Sequence, residues 1–182
     1  MATLSEADTC RKFVVPKLQS VGWDNDPHSI AEQRTITDGR IVPVGKEFIR
    51  KPPKRVDYLL RYTRDFPLAV VEAKAAYKDA ADGLQQAKDY AEMLGLKFAY
   101  ATNGHEIIEF DYHTGRETTL DAYPAPGELW RRYRAANGLA GDDVADRLFE
   151  LMKSISSLAS TASDAAYFDL AKKPDWTLPI HD

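Results

Sequence analysis

Three residues at the end of two apolar runs are of the right types, at the right spacing, to handle a phosphate ester. The run Leu68 to Lys74, LAVVEAK, closes on Glu72 and Lys74, which are two apart and so project from one face of an extended chain. Asp57 stands in the preceding run, RVDYLLRYT. If the two runs pair, Asp57 and Glu72 converge. Two carboxylates at one point offer hard oxygen ligands for Mg²⁺, or Mn²⁺ as a substitute, with water and a substrate phosphate completing the shell. Lys74 beside them would orient or activate a water molecule, or neutralise charge on a phosphorus-centred transition state. The same three charges also fit a plain ion pair at a strand end.

The elements that must position these residues can be read from periodicity. In RVDYLLRYT, Val56, Tyr58, Leu60 and Tyr62 share one face while Asp57, Leu59 and Arg61 share the other, a period of two that predicts a strand. A link over Thr63 to Pro67 makes this run and LAVVEAK antiparallel neighbours. Next, DAADGLQQAKDYAEMLG carries Leu84, Ala87, Ala91 and Leu94 on one helical face and stops at Gly95. KFAYAT then reads as a strand parallel to LAVVEAK through a right-handed crossover, with EIIEFDY returning after the Asn103–Gly104 turn signal.

At the start, Thr3 and Glu6 are spaced as a capping box. Cys10, Val14, Leu18 and Val21 then predict a helix, bent at Pro16 and ended at Gly22. Ile30 to Thr37 reads as a strand, and the stretch GRIVPVGKEF as a strand or extended loop broken at Pro43. Beyond about Ala122 the chain is interrupted by Pro and Gly, with a helix expected around Val144 to Leu158. That division makes 1–123 the domain and 124–182 a helical appendage or linker.

Composition limits the alternatives. With 182 residues, 44% hydrophobic and 29% charged, the chain suits one ordinary globular domain. No apolar run is long enough for a membrane span and the amino terminus has no signal-peptide pattern, so the expected location is cytoplasmic. One cysteine and four scattered histidines exclude a zinc cluster. The formal net charge of −4 is not that of a generally nucleic-acid-binding surface. KEFIRKPPKR nonetheless gathers Lys46, Arg50, Lys51, Lys54 and Arg55, either as a solvated loop or as a local contact to a phosphate backbone.

RVDYLL followed by LAVVEAK resembles the PD-(D/E)XK nuclease pattern, with Asp57 as the first acid and Glu72-Ala73-Lys74 as the E-x-K half; the proline usual before the first acid is absent. Twelve residues past Lys74, Gln86 and Tyr90 form a Q-x-x-x-Y pair. That pair is typical of the nuclease domain of type I restriction enzyme R (HsdR) subunits. The stretch from SEADTCRKFVVPKLQSVGW through ATNGHEIIEFD is similar to the amino-terminal domain of that family. The resemblance implies a restriction-endonuclease-like α/β core, a mixed sheet flanked by helices, with Asp57, Glu72 and the Ala73 carbonyl binding Mg²⁺ and Lys74 assisting the attacking water. It implies hydrolysis of DNA phosphodiesters in double-stranded DNA, with methyltransferase (M) and specificity (S) subunits as partners and cleavage triggered by a stalled motor. An acid on the first helix reaches the metal in similar nucleases, and Glu6 matches that place. Gln86 and Tyr90, i and i+4 on one helical face, are expected to point away from the Leu84 and Ala91 side, toward DNA phosphates or Lys74.

R subunits are also ATP-driven motors, yet the nearest approach to a phosphate-binding loop, Gly39 to Lys46, has one residue too many between its glycines. The chain is thus expected to be an excised nuclease domain or a stand-alone relative, with ATP relevant only to a full-length protein. Two other readings share these residues. One is a non-catalytic nuclease-fold module for DNA binding or subunit docking; the other is a stand-alone repair nuclease.

Overall fold

The computed structural model describes residues 4–36, 41–44, 47–50 and 54–139, with only strand pairing described for 41–44 and 47–50. The expected helix at Val144 to Leu158 and the residues Lys46 and Lys51 lie outside them, as does the side chain of Arg50.

A six-stranded mixed sheet carries the fold. Its strands are β1 (Ser29–Ile36), β4 (Lys54–Thr63), β5 (Phe66–Ala73), β6 (Phe98–Thr102), β7 (Ile107–Asp111) and β8 (Arg116–Leu120), side by side in that order. Between β1 and β4 the chain makes a separate two-stranded ribbon, β2 (Ile41–Val44) with β3 (Glu47–Arg50). Pro43 is tolerated there because each strand of a two-stranded ribbon is an edge. β4 and β5 are antiparallel, joined more tightly than the sequence suggests, with Thr63 already paired to Phe66. β6 runs parallel to β5, Val70 opposite Ala99, after a crossover through α3 (Leu84–Leu94). Gly95 ends α3 with φ +69°, a left-handed residue that lets the Leu96 N–H close back on the Ala91 carbonyl.

The first helix comes in three pieces: α1 (Glu6–Thr9), a π-helical stretch (Cys10–Val14) and α2 (Val15–Ser20). Pro16 has no N–H for the carbonyl one turn back, and the wider turn before it, closed by Val15 N–H on the Cys10 carbonyl, absorbs that defect. The cap is Ser5, whose hydroxyl oxygen accepts from the Asp8 N–H. The expected Thr3–Glu6 box is therefore replaced by a Ser5–Asp8 one, which leaves Glu6 exposed and free of capping duty.

Helices cover both faces of the sheet. On one, Cys10, Val14, Leu18 and Trp23 pack with Tyr58, Leu60, Val71 and Tyr100; on the other, Ala87, Tyr90 and Ala91 of α3 pack with Leu59, Val70 and Ala99. The strands of the middle are buried on both sides, which is why LAVVEAK reads as a continuous apolar run.

The domain does not stop at residue 123. Tyr123 and Leu129 belong to the first core, and α4 (Pro126–Ala136) starts with a proline at its first turn, where a missing N–H costs nothing. Trp23 donates its indole N–H to the Pro124 carbonyl. Arg132 of α4 forks onto Glu109 at 2.9 and 2.6 Å and reaches Asp111 at 2.9 Å, while the Tyr100 hydroxyl donates to Glu109 at 2.6 Å. α4 thus belongs to the same compact unit as the sheet. Pro126 and Gly127, which as residue types also suit a linker, here open a helix that packs on the core.

Candidate active site

Continuing the β4–β5 register, in which Tyr58 faces Val71, sets Asp57 opposite Glu72. Cross-strand neighbours on one face have Cβ atoms roughly 5 Å apart. Both acids are buried, Asp57 to 9% and Glu72 to 3% exposure, on the face covered by α3. The strand pairing thus produces the convergence expected from the sequence, and the two carboxylates share a side of the sheet.

Each group is held by a different element. Asp57 Oδ2 accepts the Ala73 N–H at 2.9 Å and its Oδ1 accepts the Gln33 side-chain amide at 2.9 Å. Lys74 donates to Glu72 Oε1 at 2.9 Å and to Gln86 Oε1 at 3.1 Å, and Gln86 in turn donates to the Tyr90 hydroxyl oxygen at 2.8 Å. The Lys74 main-chain N–H is tied to the Thr102 carbonyl of β6. Gly83, in the 3₁₀ turn Ala80–Gly83 that leads into α3, brings that turn close: a Cβ there would stand 3.3 Å from both Glu72 Cγ and Lys74 Cε. A glycine lets the helix start this near the two side chains without displacing either.

Tyr90 corrects one expectation. Its ring does not point away from the Ala91 side but lies in the same apolar cluster, because the α3 face that meets the sheet is wide enough to include it. Its hydroxyl alone reaches the polar chain through Gln86. Lys54 lies with its ammonium 5.6 Å from the Tyr90 ring centre, and Arg55 donates to the Gln33 carbonyl at 3.2 Å. Of the five basic residues of the 46–55 segment, these two are placed against the rim of the site.

The site holds more negative than positive charge. Burial first, and then the Asp57 charge, push the Glu72 carboxyl up to about 7, with Glu6 adding to the rise and Lys74 opposing it. Burial alone would lower the Lys74 ammonium, but its bond to Glu72 and the charges of Glu72, Glu6 and Asp57 outweigh that and hold it above its ordinary value. Burial leads the rise at Glu72, and at both groups the neighbouring carboxylates favour keeping the proton. Glu72 Oε2 is buried without a hydrogen-bond partner. A buried, unpartnered carboxylate oxygen facing a second carboxylate fits a divalent cation, which would satisfy the oxygen and discharge the repulsion. Glu6 stands near enough to affect both groups electrostatically. Among the described residues, however, no three His, Cys, Asp or Glu side chains gather at metal-binding distance, so Glu6 does not join the pair.

Sequence reasoning missed Gln33 and Gly83. Gln33 carried no signal, since its partner lies on a strand beyond the β2–β3 ribbon; Gly83, one residue before a helical run, is the kind of glycine that marks a close approach.

Fold and site together define a restriction-endonuclease-like α/β protein with a charged cluster where two central strands meet. No protein-family profile matches the chain. It is 35% identical over 139 residues to the endonuclease subunit of the type I restriction enzyme EcoAI of Escherichia coli, which covers 73% of this chain and 17% of that protein. A solved fragment from Vibrio vulnificus YJ016, described as an HsdR subunit of a type I restriction enzyme, superposes with a TM-score of 0.70 at 56% identity, covering 79% of this chain and 28% of that one. The chain is a homologue of type I restriction enzyme endonuclease (HsdR) subunits and spans less than a third of the length of those it matches. No helix of the described residues is long and apolar enough to cross a membrane.

Proposed function

We propose that this chain carries the PD-(D/E)XK nuclease centre of a type I restriction-modification system, a Mg²⁺-dependent endonuclease that hydrolyses phosphodiester bonds of double-stranded DNA in the cytoplasm. The observation that carries this reading is the pairing of Asp57 and Glu72 around the unpartnered Glu72 Oε2, with Lys74 at 2.9 Å from the same carboxylate.

Asp57 and Glu72 would hold the cation. The Ala73 carbonyl would be the third ligand: Ala73 turns its N–H to Asp57, and a strand residue directs N–H and C=O to the same side. What Mg²⁺ supplies when bound is Lewis acidity toward phosphate oxygens and the attacking water. In the metal-free chain Lys74 is held as an ammonium by the carboxylates around it. Two of its three N–H groups are engaged by Glu72 and Gln86, and the third is left to orient the water or to meet negative charge developing on the phosphate. Gln86 fixes Lys74, and Tyr90 fixes Gln86 from the core, so both act as positioning residues. Lys54 and Arg55 would meet the DNA backbone. The modification and specificity subunits, and an ATP-driven motor in a longer protein, are the partners that the homologous subunits' enzyme type supports.

Calorimetric Mn²⁺ titration of the chain and of Asp57→Ala tests the reading. Binding by the wild type that disappears in Asp57→Ala, with circular dichroism unchanged, is expected. Equal binding in both, or none in either, overturns it in favour of a docking or DNA-binding module.

A further inference from the structure

Gln33 is the one described residue other than glycine with a positive φ, +48°, and it is exposed on β1. Left-handed backbone is unfavourable for a residue with a Cβ, and nothing about packing requires a glutamine at an exposed position. β1 pairs with β4 on either side of it, Glu32 with Tyr58 and Arg34 with Val56, so the irregularity falls opposite Asp57. The turned backbone sends the Gln33 amide to Asp57 Oδ1 at 2.9 Å, while its carbonyl accepts from Arg55 at 3.2 Å. Strain kept beside a buried charge, and resolved into a hydrogen bond with that charge, marks a group that is being held in place.

The geometry points to Gln33 as a positioning residue for the Asp57 carboxylate, fixing it for a divalent cation; this rests on the metal-site reading above. Asp57 hangs between two donors on different strands. The Ala73 N–H fixes one oxygen from β5 and the Gln33 amide fixes the other from β1, so the carboxylate cannot turn about its Cβ–Cγ bond. Each oxygen keeps a second lone pair for a ligand. Without Gln33, one oxygen would be free to swing toward Arg55 or solvent, and cation binding would have to fix it anew.

Mn²⁺ calorimetry on the whole chain, with thermal melts of the metal-free protein, distinguishes this role from a structural one. Gln33→Gly removes the amide but suits a left-handed backbone, so its melting temperature should equal or exceed that of the wild type. Its Mn²⁺ dissociation constant should rise about 10- to 100-fold, the range seen when groups behind metal ligands are removed. Gln33→Asn, which tolerates the same backbone but is one methylene short, should also bind weakly and keep its fold. Wild-type affinity in Gln33→Gly, alongside abolished binding in Asp57→Ala, would overturn the proposal and leave the metal site standing. Absence of Asp57-dependent binding in the wild type would overturn both.

Discussion

At the scale of single residues, the pH behaviour of Glu72 is the sharpest consequence of the site. Its carboxyl sits at about 7 against an ordinary 4.5, so the folded chain binds this proton more tightly than the unfolded chain does. The stabilisation is therefore complete below about pH 4.5 and is lost as pH rises through about 7. Metal-free wild type should lose stability to denaturant across that window relative to Glu72→Gln, whose curve should be flat there, and Mg²⁺ should restore the wild type. Because ligation needs the ionised carboxylate, Mn²⁺ affinity should climb by up to about tenfold per pH unit below 7 and level off above it; a titration series from pH 5.5 to 8.5 checks this. Lys74→Ala separates binding from chemistry. It removes the cation paired with Glu72, so metal affinity should hold or increase while DNA cleavage falls by roughly 100-fold or more, the size of effect expected for an electrostatic catalyst.

Elements determine how closely these residues can approach. Gly83 has ordinary right-handed angles, φ −90° and ψ −14°, so alanine would be acceptable to its backbone and favoured by its helical setting. Its Cβ would nevertheless press on Glu72 and Lys74. Gly83→Ala is thus expected to keep or raise the melting temperature while lowering cleavage about tenfold, since small misplacements of reacting groups are costly. Gly104 is the opposite case. It has φ +87°, and a Cβ would lie 2.9 Å from Phe13 Cβ and Thr9 Cγ2, where the β6–β7 loop meets the π-helical stretch. Gly104→Ala should cost about 2–4 kcal/mol in urea unfolding. The Asn103–Gly104 hairpin signal was correct about the reversal but not its form. Asn103 builds a four-residue loop by accepting from the His105 and Glu106 N–H groups rather than taking a left-handed turn position itself.

For the molecule as a whole, α4 and net charge matter most. Removing Arg132 would leave Glu109 and Asp111 buried and uncompensated. With Arg132 itself partly exposed, Arg132→Ala should destabilise by roughly 2–4 kcal/mol, read from the denaturation midpoint, while Mn²⁺ affinity at the proposed Asp57–Glu72 site stays as in the wild type. On the nuclease reading, a net charge of −4 leaves DNA to be drawn by local groups. Replacing Lys54 and Arg55 by alanine should lower the slope of log affinity against log salt by about one to two, as expected for that number of lost phosphate contacts. How much of this was legible in the sequence follows from what is local. The period of two in RVDYLLRYT, the apolar run ending in Glu72 and Lys74, the i, i+4 spacing of Gln86 and Tyr90, and the helix stop at Gly95 all depend on neighbours a few residues away. These determined the central strands, α3 and the three charged groups of the site. Other features needed the fold. Gln33 reaches Asp57 only through the β1–β4 register, Tyr90 joins the core only because the sheet receives that much of α3, and α4 closes the domain through Leu129 in the core and Arg132 on Glu109 and Asp111. The rise at Glu72 is likewise tertiary, because a carboxylate's pKa is set here first by burial and then by charges brought near it, whereas sequence spacing records only who its chain neighbours are.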